Sequence, residues 1–279
     1  NIIAQAPEVA GSALQANKID AHADFVPFGE LFPNRGFARK IYDGSQSNTP
    51  TFHGALVDEG YAKQYPEVVV AYLRASIEAN QLLAAEPEKY SELIEKVTGV
   101  EAEVNYLFHG PLGVQTRDLS WKPEYRQAVG TAIDTLKLLK KADRGLDLNT
   151  FINDQYIRAA FKASGLDYEA QLGHYAQAPL KANDALSGAP ITDWKHVAQI
   201  WVKGEPKVRN YASAEAAFTA LDSLNSGIKL LASQAWFATN QQGQLSAFLL
   251  KGQAQQFAQA QGGKVFNFTD AGAQAVAGR

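Results

Sequence analysis

The chain has 279 residues, 46% hydrophobic and 20% charged, a balance that excludes a disordered polypeptide and provides for one large domain or two ordinary ones. A net charge of −3 and a pI near 6.0 give no general affinity for nucleic acid or for an anionic membrane. Cysteine is absent, which removes disulfides, thiolate metal sites and cysteine nucleophiles, and no apolar run reaches the ~18 residues that a membrane-spanning helix needs.

Methionine is absent too, which points to a processed chain or a piece of a longer one. In chain order, Asn1 to Pro7 predicts a strand, followed by a helix opened by Glu8 and a turn at Asn17-Lys18. The stretch Ile19 to Val26 predicts a buried strand stopped by Pro27, with small Ala21 and Ala23 alternating with polar His22 and Asp24. A Pro/Gly/Asn-rich loop is expected over residues 29–36. Strands follow in "FARKIYDG", ended by the turn pair Asp43-Gly44, and in "TFHGALV".

From Glu59 the period becomes helical. Pro66, Pro87 and Pro123 each stand where a helix begins, since a helix leaves its first N–H groups unpaired anyway. Val69, Leu73, Ile77 and Leu83 form an apolar stripe, Gly99 closes the second of these helices, and residues 101–109 predict a third. Residues 110–113, Gly-Pro-Leu-Gly, break the series. The Pro123 helix runs to the basic pair Lys140-Lys141, and a further helix over 154–164 stops at Gly165.

After Tyr168 the composition shifts, and residues 173–193 read as a linker. Beyond it the pattern is strand (207–211), helix (213–225), strand (228–238), a turn at Gln241-Gln242-Gly243, strand (246–250), helix (252–261) and strand (264–268). Two βαβ-like units in so short a span predict a small α+β domain of ferredoxin-like type over 194–279.

In open α/β sheets, ligands bind beyond the carboxyl ends of the strands, which makes Asp24, Phe25 and Phe28 candidate ligand contacts. His22 and His53 are candidate hydrogen-bond donors to an anion, and Arg35 and Arg39 candidates for a bidentate grip on a carboxylate or sulfonate. Each has a plainer reading beside it: satisfied, half-buried imidazoles, a turn-capping aspartate, solvated arginines and core phenylalanines. No Walker, Rossmann or G-x-S-x-G spacing occurs. His22, His53, His109, His174 and His196 lack the spacing of a metal site, so neither a metal nor a cofactor is expected.

The pattern from Ala13 to Phe28, "AL-x-x-x-x-IDA-x-x-x-x-x-PF", with Tyr61 to Val69 and Asp147 to Tyr168, resembles the nitrate/sulfonate/taurine class of periplasmic substrate-binding proteins. The resemblance covers roughly residues 1–170 and implies the α/β, two-lobed, type II periplasmic-binding-protein fold. It further implies a secreted, periplasmic, monomeric, non-enzymatic protein that hands a small anionic or polar organic solute to an ABC-transporter permease. The opening strands of the first lobe would precede Asn1. Relatives of this class include thiamin-precursor synthases, the enzymatic alternative, whose Cys-rich motif this chain lacks. The stretch Ala247 to Phe268 resembles the end of the NosL copper accessory proteins, implying a metal-handling alternative, but the Cys or Met ligands that copper(I) prefers are missing. The domains expected are therefore 1–172, a linker 173–193, and 194–279.

Overall fold

Proline fixes where four helices begin, and aspartate or serine caps several others. The computed structural model describes residues 2–44, 53–113, 115, 118–174, 181–224, 235–248 and 250–277. In chain order these form α1 (Pro7–Gln15), α2 (Phe28–Asn34), α3 (Glu59–Gln64), α4 (Pro66–Ala85), α5 (Pro87–Thr98) and α6 (Ala102–His109). Then come α7 (Pro123–Leu138), α8 (Leu148–Phe151), α9 (Gln155–Ala163) and α10 (Tyr168–Leu172). The remainder is β1 (Ala198–Ile200), β2 (Arg209–Tyr211), α11 (Ala214–Asp222), β3 (Trp236–Thr239), β4 (Leu245–Phe248), α12 (Lys251–Gln261), β5 (Val265–Phe266) and α13 (Phe268–Ala277).

Pro7, Pro66, Pro87 and Pro123 occupy first helical positions, where the missing N–H costs nothing. Asp58, Asp147, Asp167 and Ser213 accept hydrogen bonds from Tyr61, Asn149, Ala170 and Ala216 amides, pairing donors the helices themselves leave open. Gly99 ends α5 with φ of 73°, a left-handed conformation that a side chain would strain.

The fold is mixed α and β, about 51% helical among the described residues, with small sheets. The chain divides into two compact units, each discontinuous in sequence: Asn1–Tyr42, Glu86–Val114 and Pro179–Arg279 in one, Asp43–Ala85 and Gln115–Ala178 in the other.

In the first unit, Leu31 and Phe32 of α2 pack on Val104 and Phe108 of α6, with Leu14, Val26, Phe28 and Phe37 around them. A second cluster joins Ala102 and Tyr106 of α6 to Trp201 and Val208, and Trp201 is fully buried. Beyond it, β1 and β2 pair antiparallel, and Ile200, Val202 and Tyr211 meet Ala217 and Ala220 of α11. The other sheet has order β4-β3-β5, and both of its pairings are antiparallel. Successive β3 residues serve opposite faces. Phe237 packs with Phe218 of α11 and Ala271 of α13, while Ala238 packs with Ala254 and Ala258 of α12. After α12 the chain turns back so tightly that a Cβ on Gly263 would lie 1.7 Å from the Thr239 carbonyl oxygen.

The second unit is helical among its described residues. Ile77 of α4 and Ile157, Ala160 and Phe161 of α9 form its core with Tyr168. The Tyr168 hydroxyl accepts from the Trp121 amide at 2.9 Å, and its ring stands edge-on to Phe161. At the start of α7, Lys122 and Asp118 form a buried ion pair at 2.5 Å, and the Lys122 ammonium also donates to the Gln171 carbonyl.

Several expectations are corrected. Described residues from 2 to 174 contain no strand. Residues 2–6, 19–25, 37–43 and 53–57 are irregular, because alternation alone does not make a strand when no strand among the described residues pairs with it. The expected loop over 29–36 is mostly α2, which carries Pro33 inside it. Among the described residues, a separate β1–β2 pair and a three-stranded sheet stand where the ferredoxin-like arrangement was expected, and α13 follows the last strand. Of the linker residues, 181–193 are built into the first unit. The carboxylate of Asp184 accepts from the amides of Leu186, Ser187 and Ala212, and Ile191 is buried. Much of the strand expected over 228–238, and part of the one over 51–57, lie outside the described residues.

Candidate functional site

The candidate site is carried by the segment between α1 and α6 in the first unit. After α1 the chain reverses at Asn17, which adopts φ of 54°, and runs through irregular backbone to Pro27. Proximity within this short segment brings four of the seven predicted site residues together. His22 Nε2 donates to Asp24 Oδ2 at 2.8 Å, and Asp24 Oδ1 accepts from the Phe25 amide at 2.8 Å. The two side chains are only 13% and 9% exposed, although Asp24 as a whole residue lies at the surface. A carboxylate in this position fixes the ring orientation of the imidazole.

Aromatic rings extend away from the pair. Phe25 meets Phe28 edge-to-face at 5.8 Å and 82°, Phe28 lies 5.6 Å from Phe32, and Phe32 lies 5.0 Å from Phe37. The His22 ring is 5.9 Å from Phe32. Exposure changes along this series: Phe25 is 54% exposed and Phe32 only 7%. Phe32 is core, as the plainer reading of these rings would have it. It packs so closely on α1 that a Cβ at Gly11 would lie 2.5 Å from its ring. Phe25 and Phe28 are left to offer an apolar face beside the His22–Asp24 pair.

Arg35 is engaged within the protein. Its guanidinium donates to both carboxylate oxygens of Glu101, at 2.7 and 3.2 Å, and to the Gly99 carbonyl at 3.2 Å. This bidentate geometry is the one proposed for a ligand, but the carboxylate belongs to the protein. His53 belongs to the other compact unit and is exposed, and Arg39 is exposed too. The loop at residues 110–113 is a close connector, with the Gly113 amide donating to the Gly110 carbonyl.

Sequence reasoning missed the Glu30–Lys40 ion pair, 2.5 Å long and mostly buried, which ties α2 to the chain that follows it. The available signal was the spacing of Phe25, Phe28 and Phe32, which is helical and argued for α2 instead of a loop.

The geometry supplies hydrogen-bonding groups of fixed orientation next to exposed aromatic surface. Among the described residues, the hydrogen-bond partners of His22 and Asp24 are each other and the Phe25 amide. Among the described residues, no three His, Asp or Glu side chains come together as a group able to hold a metal ion. Comparison with protein-family models, with curated proteins and with solved structures finds no match.

Proposed function

We propose that this chain is the solute-binding component of a periplasmic ABC importer, capturing a small anionic or polar organic solute without bond chemistry and presenting it to a membrane permease. In this reading it is a monomer and part of a two-lobed, type II binding protein. The observation that carries the proposal is the His22–Asp24 pair beside the exposed Phe25 ring and the half-buried Phe28 ring, on the stretch whose motif resembles the sulfonate and taurine class. An apolar wall with a few fixed polar groups is the usual make-up of a small-molecule site. The arginine and lysine side chains paired along this segment already face Glu101 and Glu30, which favours a polar solute with hydrogen-bond donors over a strongly anionic one.

The test is calorimetric titration of the full chain with taurine, an alkanesulfonate, nitrate and uncharged polar solutes. Asp24→Ala and His22→Ala should weaken binding by on the order of 1.5–3 kcal/mol, one charge-assisted hydrogen bond, with the melting temperature nearly unchanged. Normal binding by both variants would show that the site lies elsewhere.

A further inference from the structure

Helices α11 and α13 and the β3–β4 turn surround a cleft of about 450 Å³ that the reading above does not use. Its lining carries Glu215 and Thr219 from α11, Gln242 from the turn and Gln274 from α13, and Leu245 and Ala216 add apolar surface. The volume lies within the ~300–1,000 Å³ common for small-molecule sites.

The polar groups are held from separate segments of chain. The Leu245 amide donates to Glu215 Oε1 at 2.6 Å, so the carboxylate is anchored through one oxygen. Glu215 also lies in the first turn of α11, where the helix dipole favours a negative charge. Asn240 anchors the turn, its side-chain carbonyl accepting from the Gln242 and Gln244 amides at 3.0 Å. The lining therefore offers one fixed carboxylate, one hydroxyl and two primary amides. Among the described residues no lining side chain is cationic, so the lining offers a negatively charged ligand no partner.

We propose that this cleft binds a small uncharged solute rich in hydroxyl groups, of the polyol or monosaccharide class. The carboxylate accepts from ligand hydroxyls, the amides and Thr219 both donate and accept, and the anionic wall discriminates against acids of the same size. The inference does not rest on the function proposed for residues 22–28.

The test is amide-detected NMR on the full-length chain, titrated with myo-inositol and D-glucose and with D-glucuronate as the anionic counterpart. Saturable shifts at Thr219, Gln242, Gly243 and the Gln274 side-chain amide with a neutral probe, and a response to glucuronate about tenfold weaker, are expected. Thr219→Val and Gln274→Leu should each lower the affinity about three- to tenfold, the equivalent of one neutral hydrogen bond. Absence of saturable shifts at these residues with both neutral probes would overturn the site. Glucuronate binding as strong as that of glucose would overturn the assigned ligand class.

Discussion

The Glu88 carboxylate accepts a 3.0 Å hydrogen bond from the Val208 amide, so the first turn of α5 holds the chain just ahead of β2. Lys207 adds an ion pair at 3.2 Å to the other oxygen, but its ammonium is mostly exposed and contributes little. Burial, and then the nearby Glu88 charge, push the ionisation of the Tyr106 phenol upward, so Tyr106 stays neutral where its hydroxyl accepts from Gln199. Glu88→Ala leaves the buried Val208 amide without its partner and should cost about 1–3 kcal/mol in urea unfolding, and Glu88→Gln, which keeps an acceptor, should cost less. Equal stability of both variants would show that the bond carries no weight.

The same junction bears on residues 194–279. Their strand–helix–strand pattern predicted a separate small domain, yet Trp201 and Val208 are buried against Ala102 and Tyr106 of α6. Produced alone, the piece would expose that surface. It should bind a hydrophobic dye and melt well below the full chain. A cooperative melt at the full chain's temperature would show that α6 is dispensable to it.

Asp184 should make stability depend on acid. Burial by itself would raise its carboxyl, but hydrogen bonds from the Ala212 amide, the Ser187 amide and hydroxyl, and the Leu186 amide outweigh burial and hold it below the ordinary carboxylate range. A carboxyl depressed on folding stabilises above its unfolded value of ~3.9, and that contribution is lost as pH falls toward the folded value. Asp184→Asn should therefore be less stable than the parent at neutral pH by about 1.5–3 kcal/mol. The gap should narrow below about pH 4, where the parent's own carboxyl takes up its proton. Denaturant melts of both proteins at several pH values measure it, and a gap that did not narrow would contradict the assignment.

Gly263→Ala should be costly for a steric reason. The new methyl group would meet the Thr239 carbonyl oxygen at 1.7 Å, and backbone cannot step aside as a flexible side chain can. The chain would have to give up the Thr239–Lys264 pairing beside β5, at roughly 1–3 kcal/mol, the usual range for forced overpacking. The melting temperature reads it directly, and a neutral substitution would mean the turn adjusts freely.

Helix starts were legible because their signals are local. Pro66, Pro87 and Pro123 act within one turn, and Gly99 and Gly165 take the positive φ that their positions as stops imply. The last helix had a signal that was overlooked: Asn267 caps it by accepting from the Asp270 amide at 2.8 Å. Strands failed where no partner followed. Ala21-His22-Ala23-Asp24 alternates as a strand would, but pairing is a tertiary property that no eight-residue window contains. At the candidate site, the His22–Asp24 contact was within reach because the two residues are neighbours in sequence. Arg35 was misread as open to a ligand because its partner, Glu101, is 66 positions away.

The division of the chain also fixes an order of manufacture. The polypeptide passes between the two compact units four times, at 42–43, 85–86, 114–115 and 178–179. During synthesis the segments 43–85 and 115–178 of the helical unit precede residues 179–279, for which α2 and α6 wait as part of the same unit. Until Trp201 arrives, the Ala102–Tyr106 face of α6 stands uncovered on a nascent chain, and that interval is when chaperone capture or aggregation would compete with folding.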